Sequence, residues 1–140
     1  MPGVNTYDDS LLIGIDVERI RPIDLNIARR FFSPVEQRDL SMQPDDAKLE
    51  YFFDLWTLKE SYVKAKGNGL SIPLHSFSIQ IHQDSIPAAG VEKEPAFSFQ
   101  TYPFDFRYKV AVCAQNDSFP ETIEFVPWDR LYTEFLRYRL

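Results

Sequence analysis

The sequence predicts an α+β domain in which a strand and helices pack on a three-stranded antiparallel sheet. Three observations carry this. A strand-like segment opens the chain, the middle is strongly helical in period, and beyond Pro73 the hydrophobic period drops to two. Leu11 to Glu18 reads as the first strand. In its second half Ile15 and Val17 share one face, while Gly14, Asp16 and Glu18 share the other. Arg19 to Leu25 is a loop containing Pro22, and Asp24 is placed to cap a short helix through Ala28 to Phe32. Ser33-Pro34-Val35-Glu36 has the residues of a capping box with Pro at the first helical position, and this helix should stop near Met42 to Pro44.

The strongest element lies between Asp45 or Asp46 and Gly67-Asn68-Gly69. Leu49, Phe52, Phe53, Trp56 and Val63 recur at helical spacing, and Tyr51, Leu55, Leu58 and Tyr62 form a second stripe, so the helix should be buried on much of its circumference. Three segments then alternate as half-buried strands: Phe77, Ile79 and Ile81; Phe97 and Phe99; Tyr108, Val110 and Val112. Trp128, Leu131, Tyr132, Phe135 and Leu136 suggest a terminal amphipathic helix. The expected organisation is an N-terminal segment over 1–12, a domain over 13–126 and the helix over 127–140.

At 140 residues the chain can bury a core without disulfides or a structural metal. A net charge of -6 argues against non-specific nucleic-acid binding, which needs a basic excess. The single cysteine, Cys113, excludes a disulfide framework and makes a reducing compartment, the cytoplasm, the default expectation. No apolar run reaches membrane-spanning length. Aromatic residues make up 15%, which fits either a well-packed core or an exposed apolar face.

Asp16 and Glu18 point to one face of their strand and repel each other. A hard divalent cation would neutralise them; a solvated strand face would also tolerate them. Gly14, on the same face, leaves room for a ligand. Glu60 falls on the apolar stripe of the long helix beside Trp56, where a carboxylate is costly unless paired or bound to metal. A Glu60–Lys64 pair accounts for the spacing but not for the position. With Lys59, Lys64 and Lys66 nearby, these carboxylates suit a magnesium–pyrophosphate site. His75 and His82 read as surface residues and Cys113 as a small core residue. Nucleophilic triads, zinc spacings and glycine-rich phosphate loops are not legible.

Gly14-Ile15-Asp16-Val17-Glu18, Phe31-Phe32-Ser33-Pro34-Val35-Glu36 and Trp56-Thr57-Leu58-Lys59-Glu60-Ser61-Tyr62-Val63-Lys64 together resemble the 4′-phosphopantetheinyl transferases. The likeness continues through Gly67 to Leu74, Phe77 to Ile79 and Tyr108 to Ala114, and in detail is nearest the C-terminal half of the surfactin-synthetase-activating type. The resemblance implies magnesium-dependent transfer of the phosphopantetheine arm of coenzyme A to a serine of an acyl or peptidyl carrier protein, releasing 3′,5′-ADP. It implies Asp16, Glu18 and Glu60 as magnesium ligands. It makes Glu60 and Lys64 catalytic, and sets Asp16, Lys59, Glu60 and Lys64 around coenzyme A. The two-halved members carry a Ser-His-Ser/Thr motif ahead of the Gly-hydrophobic-Asp strand, and no histidine precedes Gly14 here. The expectation is therefore a homo-oligomer like the acyl-carrier-protein synthases, or a half that needs an N-terminal partner. An inactive remnant and a carrier-binding module are the alternatives. Arg19, Arg21, Arg29 and Arg30 are either a carrier-docking cluster or a solvated loop face.

Overall fold

A computed structural model describes residues 11–67, 72–91, 96–116 and 118–124, and beyond these the positions 126, 127, 129, 130, 133 and 136. In chain order the elements are β1 (Ile13–Arg19), α1 (Ala28–Phe31), α2 (Pro34–Ser41), α3 (Lys48–Lys66), β2 (Ser78–Ile79), β3 (Ala88–Ala89), β4 (Ser98–Tyr102) and β5 (Tyr108–Ala114). Single 3-10 turns precede α1 and α3 and lead into β2.

The local signals act as their chemistry requires. Asp24 caps the turn before α1, accepting from Asn26 N. The capping box forms in full: Ser33 Oγ accepts from Glu36 N, and Glu36 Oε1 accepts from Ser33 N at 2.9 Å. α3 ends at Gly67, whose φ of 68° is a conformation that glycine adopts without strain. The other expected stop residues, Asn68 and Gly69, lie outside the described residues, as does the segment Met1 to Ser10.

The three-stranded sheet has the order β1-β5-β4 and is antiparallel throughout. This corrects the expected membership. The segment around Phe77 and Ile79 pairs instead with β3 in a separate two-stranded ribbon, and β1 takes the vacant edge. Sequence alternation finds strands but not their partners, because pairing is fixed by long-range packing.

α3 lies across β1 and β5, and its buried side is Phe52, Phe53, Leu55, Leu58, Tyr62 and Ala65. The core contact thus draws on both stripes: Phe52 and Phe53 of the first, Leu55, Leu58 and Tyr62 of the second. Trp56 and Val63 of the first are only partly buried at the rim. Gly14 explains how closely the helix approaches. A Cβ there would stand 2.2 Å from the Ser61 carbonyl oxygen and 2.3 Å from Ala65 N. The room beside Gly14 is therefore filled by helix backbone, not left for a ligand.

The close approach inverts β1. Gly14 and Asp16 face the helix and are buried, while Ile13, Ile15 and Val17 are 62%, 54% and 52% exposed. Across the sheet these three pair with Ala114, Val112 and Val110, so the outer face is an apolar surface. Of the expected C-terminal helix, Asp129, Arg130, Thr133 and Leu136 are helical. Its apolar positions Trp128, Leu131, Tyr132 and Phe135 lie outside the described residues. Among the described residues no helix is long and apolar enough to cross a membrane.

Candidate active site

The inward face of β1 and the C-terminal half of α3 bring together four of the five predicted site residues. Asp16 is buried, and its Oδ1 accepts from Lys64 Nζ at 2.5 Å. Oδ2 is buried as well and finds no hydrogen-bond donor among the described residues. A buried carboxylate oxygen in that state is costly, and it marks a place for a cation or a proton.

Glu18 lies within hydrogen-bonding reach of the Asp16 carboxyl. Burial, followed by that contact and the Asp16 charge, pushes Glu18 up to about 7. The Trp56 indole, which donates to Glu18, and Arg21, 3.9 Å away, pull in the opposite direction. Glu60 is also raised, by burial first and by Asp16 second, with Lys64 opposing. Lys64 is held above the usual lysine value, chiefly by its hydrogen bond to Asp16 and then by the charges of Asp16, Glu60 and Glu18. Its side chain is half exposed, so one end of this ion pair meets solvent.

Asp16 raises the pKa of both Glu18 and Glu60, and a hard divalent cation bound among the three oxygen donors would favour the charged forms of the two glutamates. Among the described residues no three acidic, histidine or cysteine side chains converge as a ready metal cage. In the structure as it stands, the Lys64 ammonium provides positive charge at Asp16.

Lys59 is not part of this group. It is 0% exposed, on the core side of α3; its ammonium donates to Glu36 Oε2 at 2.8 Å and to the Phe77 carbonyl at 2.5 Å, and forms an ion pair with Glu36 Oε1 at 2.8 Å. It also lies 4.0 Å from the centre of the Phe77 ring. Burial lowers its pKa, against the opposing charge of Glu36. No free donor of Lys59 faces the Asp16 cleft, so a direct contact with coenzyme A does not follow from its position. The sequence did carry a signal: Lys59 falls at helical spacing with Phe52, Leu55 and Tyr62. Its partner Glu36 serves both as the capping-box residue of α2 and as the acceptor for Lys59.

Beside Glu60 is a cavity of about 420 Å³. Its walls are Arg30 and Phe31 from α1, Trp56 and Val63 from α3, and Ile72 to His75. Phe31 meets Trp56 edge to face at 5.4 Å. The arginine cluster is dispersed in effect: Arg21 stacks over Phe53, while Arg30 stands over Phe31 at the cavity rim.

Comparison with known proteins gives the family and the fold. The 4′-phosphopantetheinyl transferase superfamily profile matches residues 12–113. The chain is similar to 4′-phosphopantetheinyl transferase Sfp of Bacillus subtilis, 45% identical over 126 residues, covering 88% of this chain and 55% of the relative. It is similar to 4′-phosphopantetheinyl transferase psf-1 of Bacillus pumilus, 38% identical over 129 residues, covering 91% and 55%. The chain thus spans about half the length of the curated relatives it matches. In fold it is similar to a holo-(acyl-carrier-protein) synthase from Bacillus anthracis in complex with CoA, with a TM-score of 0.63 at 16% identity over 74% of this chain and 93% of that one. The holo-[acyl-carrier-protein] synthase of Thermotoga maritima gives a TM-score of 0.62 at 20% identity, over 74% and 61%.

Proposed function

The chain belongs to the 4′-phosphopantetheinyl transferase superfamily, and from that premise we propose that it carries the catalytic half of a holo-carrier-protein synthase. The donor is coenzyme A and the acceptor a serine of an acyl or peptidyl carrier protein. The observation that supports this best is the buried, donorless Asp16 Oδ2 among Glu18, Glu60 and Lys64.

In this reading Asp16, Glu18 and Glu60 hold magnesium, which when bound neutralises pyrophosphate charge. The serine oxygen forms a bond to the phosphorus bearing the pantetheine arm, and the bond from that phosphorus to the 3′,5′-ADP oxygen breaks. Glu60, whose pKa is raised first by burial, takes the serine proton directly or through a water. Lys64, held above its ordinary value, acts as a fixed cation beside the departing phosphate rather than as an acid. Arg30, at the rim of the cavity beside Glu60, is placed to meet an acidic carrier.

One observation favours completion of the site by a second body, either another copy or an N-terminal half. The outer sheet face is apolar and exposed along β1, while Val110, Val112 and Tyr102 are buried with Phe119 packed against them, and a groove of about 740 Å³ lies between β1, β5 and the segment through Phe119 and Ile123. An inactive half is the second reading, and the same experiment separates the two.

The test is transfer of fluorescent coenzyme A to a peptidyl carrier domain with magnesium, on samples of known mass, with and without an N-terminal half supplied in trans. Wild-type turnover should fall by a factor of about 10³ in Glu60→Ala while the melting temperature holds. Normal turnover by Glu60→Ala would overturn the assignment. Absence of turnover by wild type in every assembly would leave the inactive reading.

A further inference from the structure

The cavity beside Glu60 has three walls, and one buried carboxylate ties all of them. Glu36 Oε1 accepts from Ser33 N at 2.9 Å, two residues beyond Phe31 of the first wall. Glu36 Oε2 accepts from Lys59, which precedes Glu60 on the second wall, and Oε1 pairs with the same ammonium at 2.8 Å. Glu36 Oε2 accepts from Ile79 N at 2.7 Å, and Lys59 donates to the Phe77 carbonyl, two residues beyond His75 of the third wall. Ser78 Oγ donates to Ser33 Oγ at 2.7 Å, closing the ring. Glu36 and Lys59 are both fully buried. An ion pair in that position contributes little net stability compared with an apolar pair of the same shape, so stability alone does not account for it. What it supplies is geometry: it fixes the rotation of α3 about Lys59–Glu60 and the spacing of the segments on either side.

We propose that Glu36 and Lys59 are positioning residues that hold the walls of this cavity in register with Glu60 and so set how the serine-bearing segment of a protein acceptor seats there. The acceptor part rests on the function proposed above; the positioning part does not. Coenzyme A binding at the Asp16 cleft should be largely independent of the tie.

The test is the double variant Glu36→Met/Lys59→Met, which keeps shape and removes both charges together, in a Trp128→Phe background where Trp56 is the remaining tryptophan. Expected are a native circular dichroism spectrum, a KM for the carrier raised about tenfold or more with KM for coenzyme A changed less than about twofold, and acrylamide quenching of Trp56 raised about twofold. Should the double variant fail to fold, Glu36→Gln, which keeps one acceptor oxygen and the side-chain shape, is scored in the same way. Unchanged quenching in a folded variant overturns the proposal, as does raised quenching with an unchanged carrier KM. Should wild type show no turnover, the functional reading fails on its own and quenching alone decides the positioning role.

Discussion

At the residue scale, the site was legible wherever spacing alone sets direction. Asp16 and Glu18 stand two apart on a strand, and Glu60 and Lys64 four apart on a helix, so each pair shares a face by backbone geometry. Lys59 lies apart from these residues because its ammonium is held by Glu36, a contact 23 residues away in sequence that no local period reveals. The same residues make a pH-dependent prediction. In folded protein Glu18 titrates at about 7 instead of the ordinary 4.5. Below 4.5 it is protonated whether folded or unfolded, and its contribution to stability is fully present. As pH rises through 7 the folded carboxyl must ionise beside Asp16, and that contribution is lost. Glu60 is shifted in the same direction. Without divalent cations, the melting temperature of wild type should therefore fall more between pH 5 and pH 8 than that of Glu18→Gln. Adding magnesium should shrink the difference by stabilising the ionised pair. Parallel curves for the two proteins in chelator would refute the coupling.

At the element scale, several helix ends followed from the sequence because caps are local: Asp24, the Ser33–Glu36 box and Gly67 each act within four residues, whereas neither Asp45 nor Asp46 caps α3, which starts after Ala47 with no side-chain cap because the two aspartates are taken into the preceding 3-10 turn. Strand facing did not follow. Alternation separates Ile15 and Val17 from Asp16 and Glu18, yet the rule that apolar residues turn inward selects the wrong face here. The deciding residue is Gly14, whose missing side chain lets α3 settle backbone against strand and carry Lys64 to Asp16. A methyl at that position meets backbone atoms, which cannot rotate away. Gly14→Ala should thus push α3 from β1 and cost about 1–3 kcal/mol or more, as overpacking does. For a chain of this length that lowers the melting temperature by roughly 3–10 °C. The Asp16–Lys64 contact should lengthen too, so magnesium affinity and turnover should fall together. A Gly14→Ala protein with wild-type melting and wild-type metal affinity would show that the close packing has no bearing on the site.

At the scale of the whole molecule, the inverted strand leaves an account to be closed. The domain buries a continuous core between α3 and the sheet, yet Ile13, Ile15 and Val17 stand on its other side with Phe104 and Ile123 also exposed. The aromatic content of 15% was legible in the sequence, but neither it nor the aliphatic row of β1 could be assigned to core or surface, because that depends on which face of β1 turns outward. An apolar surface of this extent, with Ile13, Ile15 and Val17 in a row along β1 and Arg19 at its end, is the part of the molecule best suited to associate. Two copies meeting there by a two-fold axis would bring like positions close to one another. A single Ile15→Glu change would then place two carboxylates in one dry contact, while in the isolated chain the same side chain points to solvent at no cost to the core. The prediction is that wild type shows a mass above the monomer in light scattering at about 100 μM, and that Ile15→Glu returns it to the monomer with its melting temperature unchanged. Any turnover that depends on association should fall with it, even though Asp16, Glu60 and Lys64 are untouched. If wild type is monomeric throughout, supplying an N-terminal half in trans should give a complex that Ile15→Glu weakens. Indifference of both measurements to Ile15→Glu would mean that this face is not where the catalytic half is completed.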